Sequence, residues 1–300
     1  MPSAVELKSR MQSIGKTKKV TDAMYMISSV KMRQAKREVS NTEPYFNALS
    51  QKIGGLLRYI PDTQNRYFHT ELAGRIHARH GILLITSDKG LAGSYNHSAI
   101  AVAEEYMSRH PETVLFIIGE YGRQYFTSKK IPFVEDFYCS ANAPSVWGAQ
   151  KICAVLMEYF DEGKLDEINV IFTDYKNGRP SECRRACLIP LDKSIFRNKT
   201  DENDVGHTGY KEFIPDAETV LSEIVPSYIT GSLYSYLVDS YCSEQEARMT
   251  AMKTAGDNAE DMLKSLKSQY NSIRQSAITR EMTEITSGEK ALKKKREEFL

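Results

Sequence analysis

Apolar residues recur at helical steps at both ends of the chain and in short unbroken runs between them. Near the start, Leu7, Met11 and Ile14 follow i, i+4, i+7, and Val20, Met24, Ile27 and Val30 continue the spacing. That pattern puts an apolar stripe on one side of a helix over roughly 3–59. Near the end, Met252, Ala255, Ala259, Met262, Leu266, Tyr270, Ile273 and Ala277 recur at steps of three or four. Such mixed steps of three and four are read as a coiled-coil seam. The middle is different. "GILLIT", "TVLFIIG", "EINVIFTDY" and "CRRACLIPL" read as strands, and "HSAIAVAEEYMSR", "EYGRQYFTSK" and "VWGAQKICAVLMEYF" between them read as helices. Asn177-Gly178 marks a hairpin turn between the last two strands. Strand–helix alternation predicts a parallel, Rossmann-like sheet with an antiparallel edge.

Proline sharpens the division. None falls between Pro2 and Pro44 and none after Pro226, while the other seven crowd the middle. An interior proline costs a helix about 3 kcal/mol, so both ends are free to form long helices. Gly15 is a weak point, Pro44 is a place for a kink or an interruption, and Pro226 for a kink after a short helix. A continuous helix over 227–297 would measure ~105 Å at ~1.5 Å per residue, too long for the width of one globular domain. Its narrow stripe of Ala and Met needs a partner, and the N-terminal stripe is the other long one. The predicted architecture is α/β: a long antiparallel coiled coil of the N- and C-terminal helices carrying an inserted Rossmann-like α/β domain. The expected divisions are 1–60 and 216–297 for the paired helices and 78–200 for the domain.

Bulk composition narrows the class without naming a function. The chain has 300 residues, 41% of them hydrophobic and 26% charged, with a net charge of +1. No global field therefore recruits nucleic acid or a membrane surface. No apolar run approaches the ~18 residues of a membrane span. "MPSAVELKSR" lacks the apolar core of a secretory signal and the Arg/Ser-rich composition of a transit peptide. Five scattered cysteines fit free thiols. Cys183 and Cys187 would lie on one face of a strand, roughly 13 Å apart, too far for a disulfide. Charge is local: seven basic residues and one acid between Lys16 and Arg37 give +6 there. That stretch is either a solvated face or a contact for an acidic partner. With Tyr25 the one aromatic among these charges, an acidic protein segment fits better than nucleic acid.

Candidate chemistry is sparse. "ITSDKGLAGSYN" follows a strand and precedes a helix, the layout of a phosphate-binding turn, yet Gly90-x-x-Gly93 is not G-x-G-x-x-G. Its simplest reading is a tight βα turn that needs two glycines. Gly15-Lys16-Thr17 lacks the first glycine of a phosphate loop and sits in a helical pattern. Ser87, Asp88 and His97 have no nucleophile elbow around the serine. His69, His77 and His80 lack a fourth ligand at a recognised metal spacing. No catalytic constellation, cofactor site or metal site is expected.

Three stretches carry a family resemblance: "LKSRMQSIGKTKKVTDAMYMISSVKMRQAK", "ITSDKGLAGSYN" and, most specifically, "SEQEARMTAMKTAGDNAEDMLKSLKSQYNSIRQSAITREMTEITSGEKAL". "FIPDAETVLSEIVPSYI" adds the entry into the last helix. Along nearly its whole length the chain resembles the gamma subunit of F-type ATP synthases. The resemblance implies a central rotor shaft inside a ring of alternating alpha and beta subunits. The shaft's foot would rest on the membrane c-ring with the epsilon subunit. Nucleotide chemistry would belong to the beta subunits, and contact with the membrane would run through partner subunits. The implied place is the cytoplasmic face of a bacterial plasma membrane.

By the same resemblance, Arg274, Gln275 and Thr279 in "RQSAIT" meet the beta-subunit catch loops, and Met24 lies near the acidic lever segments of beta. Lys31 and Arg33, in the basic cluster, would face those acids too. Ile214 stands where the family carries an acid before Pro-Asp, and Glu212 would take over that foot contact. "EKALKKKREEFL" ends the chain with charge where many members end in small apolar residues. The Cys183/Cys187 pair does not match the regulatory dithiol insertion of chloroplast members. Two other readings stay open on the residues alone: an α/β enzyme with a coiled-coil oligomerisation arm, and a basic coiled-coil adaptor.

Overall fold

The computed structural model describes residues 3–68, 79–176, 181–197 and 213–297. Its elements are α1 (Ala4–Tyr59), β1 (His80–Ile85), α2 (Tyr95–Arg109), β2 (Val114–Ile118), α3 (Glu120–Lys129), α4 (Val146–Asp161), β3 (Glu167–Asp174), β4 (Glu182–Ile189), α5 (Ser194–Arg197) and α6 (Ala217–Glu297). They fall into two compact units, Met1–Ile27 with Met249–Leu300, and Ser28–Arg248. The Asn177-Gly178 turn lies outside the described residues.

The first unit is an antiparallel helix pair. Lys18 Nζ meets Glu260 Oε2 at 2.9 Å, and a Cβ added to Gly256 would lie 3.3 Å from Asp22 Oδ1 and 3.4 Å from Thr21 Oγ1. As the number rises on α1 it falls on α6. The inward line of α6 is Met252, Gly256, Ala259, Leu263, Leu266, Tyr270 and Ile273, all buried or half-buried. Its steps alternate four and three, a heptad seam. Met262 and Ala277, expected on that line, are exposed, and Leu263 takes the inward place of Met262.

The N-terminal stripe needs a larger correction. The inward line runs Ala4, Leu7, Met11, Ile14, Lys18, Thr21, while Val20 and Ile27 are 57% and 55% exposed. Val30, in the second unit, is exposed as well. The physical reason is the size of the opposing residues. Gly256 and Ala259 bring the α6 backbone close, and Thr21 fits that narrow gap where a larger side chain would not. Of the expected second stripe, Met24 alone is half-buried.

The second unit joins the other halves of α1 and α6 to a four-stranded sheet of order β2-β1-β3-β4. β1 is parallel to both neighbours, and β4 is antiparallel to β3. Alternate residues of β1 serve the two faces. Ile82 and Leu84 pack with Ala99, Ile100 and Ala103 of α2 and Phe126 of α3. Leu83 and Ile85 join Ile152 and Leu156 of α4 and, in the same core, Ile53, Leu221 and Leu233 of the long helices.

Both long helices run through Gly15, Pro44 and Pro226 without a break, so the interruption offered at Pro44 does not occur. Flanking turns are held by packing: Phe46 lies against Gly231, and Val225 and Ile229 are fully buried. Burying each such side chain contributes ~1.5–3 kcal/mol, enough together to offset a proline's ~3 kcal/mol. All five cysteines are free. Burial pushes the Cys183 thiol up to about 11 and the Cys187 thiol up to about 12.

Two stability outcomes follow from this packing. A Cβ on Gly231 would fall 2.0 Å from the Phe46 ring, whereas one on Gly15 meets nothing within 4 Å. Gly231→Ala should therefore destabilise by about 2 kcal/mol in urea unfolding, despite alanine's ~1 kcal/mol helix advantage. Gly15→Ala should be neutral or stabilising. Burial, then the Asp174 charge, raises the Asp239 carboxyl to about 7. An unfolded Asp titrates near ~3.9. Between these values folding takes up a proton, so this group's contribution to stability is lost as pH rises from about 4 to 7. Asp239→Asn should raise the urea midpoint at pH 8 and leave it nearly unchanged at pH 4.

Candidate functional site

The loop after β1 is built from its own side chains. The Ser87 N–H donates to Asn96 Oδ1 at 2.9 Å, and the Ser87 hydroxyl donates to the Lys89 carbonyl at 2.7 Å. Asp88 ties three segments together: its carboxylate accepts from Glu120 N, Ala141 N and the Ser140 hydroxyl at 3.3, 3.1 and 2.6 Å. His97 Nε2 lies 3.3 Å from the Tyr121 hydroxyl. Ser87, Asp88 and His97 thus engage separate partners, and Ser87 is fully buried. Of the two glycines assigned to the turn, Gly93 takes a positive φ of 57°, but the second such residue is Leu91 at 64°, not Gly90.

In open α/β sheets, ligands bind outside the carboxyl ends of the strands where the strand order reverses. Here the chain leaves β1 for β2 on one side and returns to β3 on the other, so the reversal lies between β1 and β3. That crevice is filled by α6. The Ser240 hydroxyl accepts from Thr173 N at 3.0 Å, and the Ser243 hydroxyl donates to Thr173 O at 3.2 Å, near the end of β3. Arg248 Nη2 donates to the Lys89 and Gly90 carbonyls at 3.0 and 3.2 Å, in the loop after β1. Its Nη1 donates to Glu244 Oε1 at 2.6 Å, and both side chains are about nine-tenths buried.

A phosphate cradle turns backbone N–H groups toward the ligand. This loop turns carbonyls toward a guanidinium, and Asn96 takes the Ser87 N–H. The arrangement holds a helix in place, and the Ser87 N–H is not free to face a phosphate. Burial raises the Glu244 carboxyl, with the Arg248 charge opposing the rise. A buried pair of this kind is costly to break, since the surviving partner is left uncompensated. Sequence reading missed Glu244 and Arg248. The available signal was two opposite charges one helical turn apart within "SEQEARM", on the side that also carries Ser240.

The residues assigned by resemblance are distributed as follows. Arg274, Gln275 and Thr279 are exposed on α6. Gln275 and Thr279 share a face, about 40° apart at ~3.6 residues per turn, and the Thr279 hydroxyl donates to the Gln275 carbonyl at 2.9 Å. Arg274 lies on a different face, more than 90° away. Met24 is half-buried. Lys31 is half-buried, with Nζ 3.5 Å from Asn142 Oδ1. Arg33 is exposed, its Nε–H reaching the Ser29 carbonyl at 3.4 Å. Lys36 of the same basic cluster donates to the Tyr175 hydroxyl at 2.6 Å, so part of that charge is engaged within the chain.

Glu212 lies outside the described residues, and Ile214 is 88% exposed. His69 and His77 also lie outside them. His80 approaches Glu167 and the Tyr106 hydroxyl, and among the described residues no group of three potential ligands is placed to hold a metal.

Comparison with known proteins agrees with the architecture. A family model described as "ATP synthase" matches residues 3–292. The ATP synthase gamma chain of Acetivibrio thermocellus is 35% identical over 291 residues, covering 96% of this chain and 98% of the relative. That of an Exiguobacterium species is 34% identical, covering 97% and 100%. Among solved structures, a chain of the Euglena gracilis mitochondrial ATP synthase superposes with a TM-score of 0.61 at 16% identity, covering 96% of this chain and 94% of that one. A chain from the central stalk and c-ring of the Tetrahymena thermophila enzyme gives 0.57 at 22%, covering 79% and 99%. With the family model and its members matching from end to end, the chain belongs to the ATP synthase gamma-chain family.

Proposed function

We propose that this chain is the central rotor shaft of an F-type ATP synthase, coupling transmembrane ion flow to ATP synthesis or hydrolysis in surrounding subunits by turning within them. Beyond the family match, one observation carries the reading. From Arg274 to Lys290 every residue of α6 is exposed, including the apolar Ile278, Met282 and Ile285. Among the described residues nothing covers this stretch, and apolar side chains left in water call for a sleeve made by other proteins.

A ring of alpha and beta subunits supplies that sleeve, with the epsilon subunit and the c-ring at the foot. The assigned divisions are the helical segments 1–60 and 216–297 and the α/β domain 78–200. The rotor–stator contacts are Arg274, Gln275 and Thr279, with Met24, Lys31 and Arg33. Glu212 is the foot contact. An asymmetric shaft presents a different face to each catalytic site, and only a difference in contact energy between two states of a beta subunit can shift it. Because Arg274 projects away from Gln275 and Thr279, one turn of this helix offers two chemically different faces. The shaft itself carries out no chemistry, and the filled crevice beside the Ser87–Gly93 loop accords with that division of labour.

Among the described residues no helix is long and apolar enough to cross a membrane. The relatives include bacterial gamma chains. We therefore assign the protein to a peripheral position, on the cytoplasmic face of a bacterial plasma membrane, held there by its partners.

Replacing Arg274, Gln275 and Thr279 together with Ala should reduce ATP hydrolysis and ATP-driven ion pumping by the assembled complex about a hundredfold, from three polar contacts of ~1 kcal/mol each. Wild-type coupled activity in the triple variant would remove these residues from the contact. Specific nucleotide turnover by the isolated chain would instead favour the enzyme reading.

A further inference from the structure

A cavity of about 170 Å³ lies between the 140–148 segment and α6, entirely within the α/β unit. Its apolar floor is Ile85, Ala149, Ile152 and Leu237, and Tyr95, Tyr241 and Trp147 add aromatic walls. Trp147 forms the rim and is 66% exposed. An apolar cavity of about 150 Å³ accepts one benzene ring. The volume here suits one six-membered ring with a short substituent.

Two hydroxyls of the lining are committed. The Ser140 hydroxyl donates to Asp88, and Ser145 Oγ accepts from Gly148 N at 3.1 Å as the cap of α4. Glu244 differs. Both Arg248 Nη1 and Gln245 Nε2 donate to its Oε1, which leaves lone pairs on Oε2 for a further donor. Charge then selects among donors. The Glu244–Arg248 pair is already balanced, and the Lys31 ammonium sits 3.5 Å from Asn142 on the lining, so a second cation gains little. A carboxylate carries no proton to donate to a Glu244 oxygen, whereas a neutral hydroxyl does.

The geometry points to a binding site for a small, uncharged, single-ring aromatic molecule that carries one hydroxyl, its ring on the apolar floor and its O–H donated to Glu244. The site owes nothing to the rotor assignment, and its failure would leave that assignment untouched.

The chain has one tryptophan, so fluorescence of the full-length protein excited above the tyrosine band reports the rim of this cavity. Four probes share a ring and differ in the substituent: benzyl alcohol, toluene, benzylamine and benzoate. Benzyl alcohol should give a saturable change with a Kd on the order of 1 mM, at least about fivefold tighter than the other three. Ala141→Leu, which fills the cavity from the loop side, should abolish the change. Ala149→Leu should do the same from the α4 side if the first variant perturbs the loop. Glu244→Gln should narrow the gap between benzyl alcohol and toluene. No saturable change, equal response to all four probes, or undiminished binding by both filled variants would each overturn the site.

Discussion

The α/β unit depends on one buried ion pair and what it holds. Arg248 reaches from α6 to two carbonyls of the loop after β1, and Glu244, one turn earlier, balances its charge out of water. Remove the arginine and a buried carboxylate loses the guanidinium bonded to it, while two loop carbonyls lose their donor. Either loss costs more than the net worth of the bonds themselves. Together with the two serines on Thr173, this pair packs a helix into the crevice that other doubly wound sheets reserve for a ligand. The fold therefore keeps the outline of a nucleotide-binding domain while occupying the position where the nucleotide would go.

That constraint has a mechanical sense. A shaft has to be continuous with the domain it carries, and a helix anchored by short hydrogen bonds at the mouth of a sheet is fixed in rotation about its axis. Apolar packing alone fixes distance better than angle. Gly231, with Phe46 against it, and Gly256, opposite Thr21 and Asp22, set how close the long helices approach in their respective units. One kind of contact sets spacing and the other sets orientation.

Much of this was legible from residue order. Three of the strands, β1, β2 and β3, announce themselves as apolar runs that need burial on both faces. The seven-residue seam of α6 appears as a stripe of small residues and methionine at steps of three and four. The N-terminal stripe misled, because Val20 and Ile27 look more like core than Lys18 and Thr21 do. Only the opposing glycine and alanine, 230 or more positions away in the chain, decide which line faces inward. Pro44 does not interrupt α1 for a similar reason, since tertiary packing outweighs a local penalty. Arg248 and Glu244 were invisible because charges on a helix ordinarily face water. Arg274, Gln275 and Thr279 came from resemblance alone, and nothing in their local pattern separates them from other exposed positions.

Hydrogen–deuterium exchange at residues 86–95 of the full-length chain, with and without MgATP, tests most directly whether α6 has taken the ligand's place. The loop amides should be protected without nucleotide and should not change when millimolar MgATP is added. Added protection of that segment by MgATP would mean that the crevice is open to nucleotide and that the helix does not fill it.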